Sequence, residues 1–335
     1  MGNGANSAAT EGPMQAVVQD RYGSADVLRL ALIARPEVAD DEVLLRVHAA
    51  GLDRGSWHLM TGRPYLLRLG FGLRRPKNPV LGVDVAGTVV AVGSAVTRFS
   101  AGDEVFGFGK GSFAEYTVAR EDRLARKPKN ASFEQAAVVP VSAATALQAL
   151  RDVGRVEQGQ SVLILGASGG VGTYAIQLAK AFGAEVTGVC STTKLDLVRS
   201  LGADHVIDYT RDDFAAGTHH YDLILDIAGN PTLSRLRRAL APTGTAVIVG
   251  GEEGGDFSGG MNRPLRAVAL SPLVRQRLTM FIAKERSSDL ERLTDLIEAG
   301  TVTPSIDRTY PLEQAPEAMR HLAAGKAQGK VAITI

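Results

Sequence analysis

Residues 161–172 have the sequence Ser-Val-Leu-Ile-Leu-Gly-Ala-Ser-Gly-Gly-Val-Gly, and this segment is the most informative about the fold. Its apolar part, residues 162–165, is typical of a strand that is buried on both faces of a parallel sheet. Glycines follow at once, and apolar residues then recur at helical spacing from Tyr174 to Phe182, until Gly183. The stretch therefore predicts a strand, a glycine turn and a helix in immediate succession.

This succession is the setting in which a glycine turn binds a dinucleotide. Free N–H groups and the positive end of the helix dipole would then face the pyrophosphate. Ala167 stands where G-x-G-x-x-G has its first glycine, and an isolated pattern of this kind also occurs in ordinary turns. Because a strand precedes it and a helix follows, we predict phosphate binding by the turn residues. They are Ala167, Ser168, Gly169, Gly170, Val171 and Gly172.

The next predicted strand, residues 185–190, ends without a carboxylate and is followed by Ser191-Thr192-Thr193-Lys194. A site for NAD would place Asp or Glu about 20 residues beyond the glycines, where it holds the ribose hydroxyls. Hydroxyls and an ammonium group suit a 2′-phosphate instead, so Ser191, Thr192 and Lys194 predict NADPH as the cofactor. Ser191 or Thr192 could also cap the helix that begins near Lys194, and the two roles are compatible.

Composition limits the classes of partner and location. The 335 residues exceed the usual size of one domain, and a hydrophobic content of 45% suffices for packed cores. The net charge of +1 and the lack of a long apolar run predict neither a nucleic-acid nor a membrane partner. Cys190 is the single cysteine, which excludes an internal disulfide and favours a reducing, cytoplasmic location. Residues 1–13 are expected to form a disordered tail.

The rest of the chain contains two regions that differ in their pattern of apolar residues. From residue 14 to 131, short segments of partial alternation between turns indicate an antiparallel, barrel-like domain. Ser132 then opens a helix with a capping box to Gln135, and helical spacing continues to Leu150. Strands and helices alternate up to residue 284, which predicts a doubly wound parallel sheet. The last predicted elements are a strand at 278–283, helices at 288–299 and 311–324, and a strand at 331–335.

Four motifs resemble the zinc-independent quinone oxidoreductase branch, the zeta-crystallin-like branch, of the medium-chain dehydrogenase/reductase superfamily. They are residues 79–93, 101–106 and 111–116, and the glycine turn 166–172, which residues 202–209 extend. The resemblance covers nearly the whole chain after residue 13. It implies an α/β protein in which a GroES-like antiparallel β-barrel domain accompanies a Rossmann cofactor domain, with the active site in the cleft between them. The implied ranges are 14–131 with 285–335, and 132–284.

The resemblance also permits a comparison with the zinc-dependent members of the superfamily. Where those carry a cysteine and a histidine ligand, this chain has Asp53 and Val83, and Pro140-Val141 lie near the third ligand position. Zinc needs three or four nitrogen, sulfur or oxygen ligands in fixed geometry. Asp53 and Asp84, which follows Val83, do not supply that set, so we predict no metal site. His219-His220 are interpreted as solvated surface residues.

The resemblance implies hydride transfer from NADPH to a small-molecule quinone or α,β-unsaturated carbonyl. Such acceptors delocalise the developing charge and need no Lewis acid, so positioning would supply most of the catalysis. Residues 53–65 resemble the family's substrate-cleft loop and could provide a donor for the oxyanion. The catalytic candidates are Tyr65, Asp53 and Trp57. Tyr65 could equally be a half-buried aromatic at the barrel rim.

Further expectations follow from the same resemblance. Tyr209 would contact the 2′-phosphate, and the nicotinamide end would be held by Thr145, Ala228, Gly250, Gly251 and Lys330. A homodimer would form through the edge of the cofactor-domain sheet. A different class remains open: an NADPH-binding redox-sensing or structural protein without significant turnover. Residues 66–77, both apolar and basic, could grip an acyl carrier's phosphate, line an acceptor pocket, touch a membrane or form a mobile loop.

Overall fold

The computed structural model describes residues 12–229, 231–250 and 260–335. The chain forms two compact units. The first contains the chain up to Arg63, together with Leu67–Val141 and Glu285–Ile335; the second contains Pro64–Leu66 and Ser142–Lys284. Most of the predicted tail lies outside the described residues, but Pro13, which was placed in it, already belongs to the first strand.

The N-terminal part of the first unit consists of short strands and helices joined by turns. They are β1 (Pro13–Val18), β2 (Arg29–Ala34), β3 (Glu42–Leu52), α1 (Arg54–Thr61), α2 (Arg68–Phe71), β4 (Asp84–Val92), β5 (Glu104–Phe108), β6 (Tyr116–Arg120), β7 (Leu124–Arg126) and α3 (Phe133–Ala137). β1 and β2 pair as an antiparallel hairpin. The central strand β3 pairs antiparallel with both β4 and β6, and β5 joins β4 to β7.

The second unit alternates strands and helices. They are α4 (Pro140–Gln148), β8 (Ser161–Leu165), α5 (Gly170–Ala181), β9 (Glu185–Cys190), α6 (Leu195–Ser200), β10 (His205–Asp208), β11 (Tyr221–Asp226), α7 (Leu233–Ala239), β12 (Leu240–Ile248), α8 (Asn262–Leu270) and β13 (Arg277–Met280). The strands form a six-stranded sheet in the order β10-β9-β8-β11-β12-β13. All its pairings are parallel, which confirms the predicted doubly wound sheet and its last strand.

The C-terminal segment returns to the first unit as α9 (Ser287–Glu298), β14 (Ile306–Pro311), α10 (Ala315–Ala323) and β15 (Lys330–Thr334). β15 pairs antiparallel with β3 and parallel with β14, so the first and last parts of the chain share one sheet. This pairing places the core of the first unit between β3, β15 and α10, where Leu52, Met319 and Val331 are buried.

The helix predicted from Ser132 to Leu150 is in fact interrupted. Its capping box is present, with the Ser132 hydroxyl accepting from the Gln135 N–H, but α3 ends at Ala137. α4 begins at Pro140, and a π-helical turn, Ala149–Gly154, follows it. α3 packs on β3 and β4. It therefore belongs to the first unit, and the observed boundary, 141/142, lies beyond the predicted one at 131/132.

Among the described residues, no helix combines the length and the apolar character that crossing a bilayer requires.

Candidate functional site

The N-terminus of α5 is open to an anion. Gly169 is its N-cap residue in extended conformation, and no side chain of the described residues caps the helix. Among the described residues, a Cβ built on Gly169 would meet the Gly166 carbonyl oxygen at 3.4 Å and no other atom within 4 Å. Uncapped N–H groups at the start of a twelve-residue helix, together with its dipole, attract a phosphate. The turn therefore fits a dinucleotide pyrophosphate, as its sequence predicts.

Gly172 is required by the close packing of α5 on the end of β8. A Cβ at this position would lie 2.2 Å from the Gly166 oxygen and 2.7 Å from the Ala167 carbonyl group, both of them backbone. Neither neighbour can move without opening the turn. Ala167 and Ser168, the other predicted residues of the turn, are buried beside it.

The carboxyl ends of β8, β11 and β12 are tied together by backbone hydrogen bonds. The Ile227 and Ala228 N–H groups donate to the Leu165 oxygen at 3.1 and 3.2 Å, and the Val249 and Gly250 N–H groups donate to the Asp226 oxygen at 2.9 and 3.2 Å. A Cβ on Gly250 would come within 2.1 Å of the Ile227 oxygen. The structure therefore brings Ala228 and Gly250 together at one edge of the sheet.

The carboxyl ends of β8 and β11 form the switch point of the sheet, because the chain order reverses between these two strands. Open α/β sheets bind ligands at such a point. Of the other residues predicted for the nicotinamide end, Thr145 is half-buried on α4. Gly251 lies outside the described residues. Lys330 belongs to the first unit, where its ammonium group lies in a buried ion pair with Asp84, and its cofactor contact stays a prediction.

The structure places a carboxylate where the sequence indicated none. Asp208 ends β10 in register with Cys190 at the end of β9, and its carboxylate accepts a hydrogen bond from the Thr192 hydroxyl. It also accepts from the Thr210 N–H at 3.0 Å and the Thr210 hydroxyl at 2.7 Å, while Arg211 lies 3.7 Å away. Thr192 therefore bonds to Asp208, a partner that sequence reasoning missed. The sequence signal that could have revealed this partner was Asp208 itself, an acidic residue at the end of the next predicted strand.

The remaining residues predicted for the 2′-phosphate lie around this carboxylate. Ser191 and Lys194 flank Thr192 in the turn that opens α6, and Tyr209, which is 63% exposed, follows Asp208 directly. The hydrogen bonds to Thr192 and Thr210 hold the pKa of Asp208 below its usual range, so its charge persists near neutral pH. The carboxyl ends of β9 and β10 thus bring together the hydroxyls of Ser191 and Thr192, the cations Lys194 and Arg211, and the Asp208 carboxylate, which accepts hydrogen bonds from Thr192 and Thr210.

Asp53, a catalytic candidate, is the N-cap residue of α1. Its Oδ1 accepts from the Ser56 N–H at 2.7 Å, whereas its buried Oδ2 has no hydrogen-bond partner among the residues that the structure describes. Trp57, on the same helix, stacks under the Arg54 guanidinium at 4.6 Å. Tyr65 begins a 3₁₀ turn, Tyr65–Leu67, and is 39% exposed. Asp53 therefore has a structural task, and its catalytic role stays a prediction, as do those of Trp57 and Tyr65.

A buried ion pair lies close to Asp53 in the first unit. The Lys330 ammonium group donates to Asp84 Oδ2 at 3.3 Å, and the Val141 N–H donates to Asp84 Oδ1 at 2.8 Å. Burial raises the pKa of Asp84 to about 7; Lys330 opposes this shift and Asp53 adds to it. In the part of the chain that the structure describes, His, Cys, Asp and Glu side chains do not form groups of three or more that could hold a metal ion.

Asp84→Asn should change the pH dependence of stability. The pKa of Asp84 is about 7 in the folded protein against 3.8 ordinarily, so ionisation costs folding free energy as the pH rises from about 4 to 7. Wild type should lose stability relative to Asp84→Asn across this window, with a slope of up to about 1.4 kcal/mol per pH unit. Urea denaturation of both proteins at several pH values measures it. A wild type that gains stability relative to the variant would show that Lys330 keeps the carboxylate ionised.

Two family models match the chain. The model of the alcohol dehydrogenase GroES-like domain matches residues 39–129, and a model described as zinc-binding dehydrogenase matches residues 201–333. The two matches lie in different parts of the chain, and the first falls within the unit built on β3.

Curated relatives match over nearly the full chain. A 2-methylene-furan-3-one reductase of Solanum lycopersicum is 36% identical over 93% of this chain and 76% of its own length. A chloroplastic NADPH-dependent alkenal/one oxidoreductase of Arabidopsis thaliana is 36% identical over 96% and 79%. The quinone oxidoreductase structure from Coxiella burnetii is 28% identical, with a TM-score of 0.86 over 97% of this chain and 100% of that one. The chain therefore belongs to the quinone oxidoreductase branch of the medium-chain dehydrogenase/reductase superfamily.

Proposed function

We propose that the protein is an NADPH-dependent oxidoreductase that transfers hydride to a quinone or an α,β-unsaturated carbonyl and uses no zinc. The observation that carries this proposal is the uncapped N-terminus of α5 beside the switch point of the parallel sheet. Helix dipole and backbone N–H groups there suit a dinucleotide pyrophosphate. The names of the relatives, an alkenal/one oxidoreductase, a furanone reductase and a quinone oxidoreductase, support the substrate class.

The preference for NADPH is supported by the edge formed by β9 and β10. Ribose hydroxyls would need a free carboxylate, whereas Asp208 already accepts from Thr192 and from Thr210. Lys194 and Arg211 supply positive charge at the same edge, and cations at this position favour a 2′-phosphate. Asp208 therefore holds the turn through these hydrogen bonds, and the nearby Arg211 offsets its negative charge.

The proposed mechanism uses no zinc because the acidic side chains near the expected ligand positions, Asp53 and Asp84, accept hydrogen bonds within the protein. Asp53 Oδ1 caps α1, and both oxygens of Asp84 accept from groups of the chain, Val141 N–H and the Lys330 ammonium. Val83, between β4 and the preceding turn, offers no donor atom. A conjugated acceptor spreads the developing charge onto its oxygen and does not require a Lewis acid.

When bound, the reduced nicotinamide supplies the hydride. The backbone at Ala228 and Gly250 would hold the nicotinamide ring at the carboxyl ends of the strands, and a fixed distance between ring and acceptor would supply much of the catalysis. Tyr65 is the candidate donor of a hydrogen bond or proton to the acceptor oxygen. Solvent could supply the proton if Tyr65 does not.

Lys194→Ala should weaken NADPH binding by about 1.5–3 kcal/mol and leave NADH binding nearly unchanged, since only NADPH offers the 2′-phosphate. Fluorescence titration with both cofactors measures the difference. Arg199→Ala is the matched control, because it removes another cation of the same segment, one that is paired with Asp196. Equal affinity of the wild type for NADPH and NADH would refute the assignment of this edge.

Activity should survive removal of metal. NADPH oxidation is measured against a panel of quinones and enones before and after dialysis against a chelator, with metal analysis of the same samples. We expect equal rates and no stoichiometric zinc, because Val83, Pro140 and Val141 offer no side-chain ligand atom and Asp53 with Asp84 falls short of the three or four ligands that zinc needs. One tightly bound zinc per chain, or a rate that only zinc restores, would overturn this part of the proposal. NADPH binding without turnover of any acceptor would favour the redox-sensing alternative.

Tyr65→Phe should slow enone reduction by about 10²–10³ and quinone reduction only slightly. An enone develops a localised enolate that needs a donor, whereas a quinone spreads the charge. NADPH affinity should not change, since the aromatic ring stays in place. Steady-state rates of both proteins on matched enone and quinone substrates decide the question. Unchanged rates on both would remove Tyr65 from the mechanism and favour its role as a rim aromatic.

A further inference from the structure

Arg263, on the first turn of α8, closes the turn that follows β11. Its Nε donates to the Pro231 oxygen at 2.7 Å, its Nη1 donates to the Gly229 oxygen at 3.1 Å, and its Nη2 donates to the Asp226 carboxylate. These bonds use different edges of one planar guanidinium group, a pattern that only arginine can form. The side chain therefore fixes the path of the backbone on both sides of residue 230.

Asp226 is the partner that joins this clamp to the sheet. Its side chain is fully buried, and its Oδ1 accepts from the Gly229 N–H at 2.9 Å. Its backbone oxygen accepts from the Val249 and Gly250 N–H groups. Burial raises the pKa of Asp226, and the adjacent Arg263 opposes that shift. One residue thus connects the turn after β11, the end of β12 and the guanidinium group.

The clamped turn, residues 226–229, includes a predicted contact of the nicotinamide end. Ala228 lies within it, held by its N–H bond to the Leu165 oxygen, and Gly250 contacts its neighbour Ile227. The turn after β9 that would hold the 2′-phosphate has its own internal bond, from Thr192 to Asp208, and Arg263 makes none of the hydrogen bonds described for it. The two halves of the cofactor site are therefore stabilised by separate sets of contacts.

We propose that Arg263 is a positioning residue that, together with Asp226, holds the 226–229 turn in the backbone conformation that receives the nicotinamide half of the cofactor. This inference rests on the proposed function. It predicts that loss of the clamp weakens binding of the nicotinamide half and leaves binding of the adenosine half intact. A purely structural role would weaken both halves alike.

The experiment compares two probes, NADPH and 2′,5′-ADP, the second of which carries both phosphates on adenosine but no nicotinamide. Both are titrated into wild type, Arg263→Gln, Arg263→Lys and Arg266→Gln. Arg263→Gln should raise the Kd for NADPH by about tenfold or more and change the Kd for 2′,5′-ADP by less than about twofold. Arg263→Lys keeps the positive charge but not the planar guanidinium group, so its Kd for NADPH should lie between those of wild type and Arg263→Gln. Arg266→Gln, an exposed position of the same helix, should resemble wild type.

A second variant serves if Arg263→Gln fails to fold. It combines Asp226→Asn with Arg263→Gln, which removes both charges together and leaves no unpaired buried carboxylate. The same selective loss of NADPH affinity is expected of it, with faster amide exchange at Ala228 and Gly229 in the cofactor-free protein. Equal weakening of both probes, or no weakening of NADPH, would overturn the positioning role. A wild type that binds neither probe would instead overturn the proposed function.

Discussion

The contact between Gly172 and the Gly166 carbonyl fixes where α5 begins, and the proposed cofactor site depends on it. A side chain at residue 172 would lie 2.2 Å from that oxygen, so the helix can approach the end of β8 only because the residue is glycine. β8 occupies the middle of the parallel sheet, between β9 and β11. The start of α5 is therefore placed beside the ends of the strands that carry the remaining cofactor candidates.

Acidic side chains at element ends are bonded within the protein. Asp208 accepts from Thr192 and Thr210, Asp226 from Gly229 and Arg263, and Asp84 from Val141 and Lys330. Two of these, Asp208 and Asp226, stand at the edge of the sheet where an anionic cofactor is proposed to bind. Because their charge is met by hydroxyl, amide and guanidinium donors, the edge can present backbone N–H groups and cations to the phosphates. This arrangement reconciles buried carboxylates with a dinucleotide site.

The sequence predicted those features that depend on local chemistry. The apolar run in β8, the Ser132 capping box and the strand His205–Asp208 were all found as expected, because pattern and capping act over a few residues. The break of the helix between Ala137 and Pro140 was missed, although Pro140 is a signal for it, because proline ends one helix and fits the first turn of the next. Partners distant along the chain could not be deduced either. The bond from Thr192 to Asp208 depends on strand register.

The same limit explains the two basic residues whose roles only the structure defines. Lys330 is predicted to contact the cofactor from a resemblance to a family segment, and antiparallel pairing of β15 with β3 gives it a further partner, Asp84. Arg263 lies in a region without a clear pattern, and its three acceptors come from residues 226–231. A buried ion pair of this kind is visible only after the chain has folded, because neither partner has a local signature.

Transfer of deuterium tests the central claim most directly. Chelator-treated protein is mixed under single-turnover conditions with NADPH deuterated at nicotinamide C4, on either face in separate experiments, and an enone. Mass spectrometry of the product then locates the label. The account predicts deuterium on the β-carbon of the product from one of the two labelled cofactors and none from the other. Product that carries no deuterium from either cofactor, or a protein that reduces neither the enone nor a quinone, would contradict direct hydride transfer by this protein.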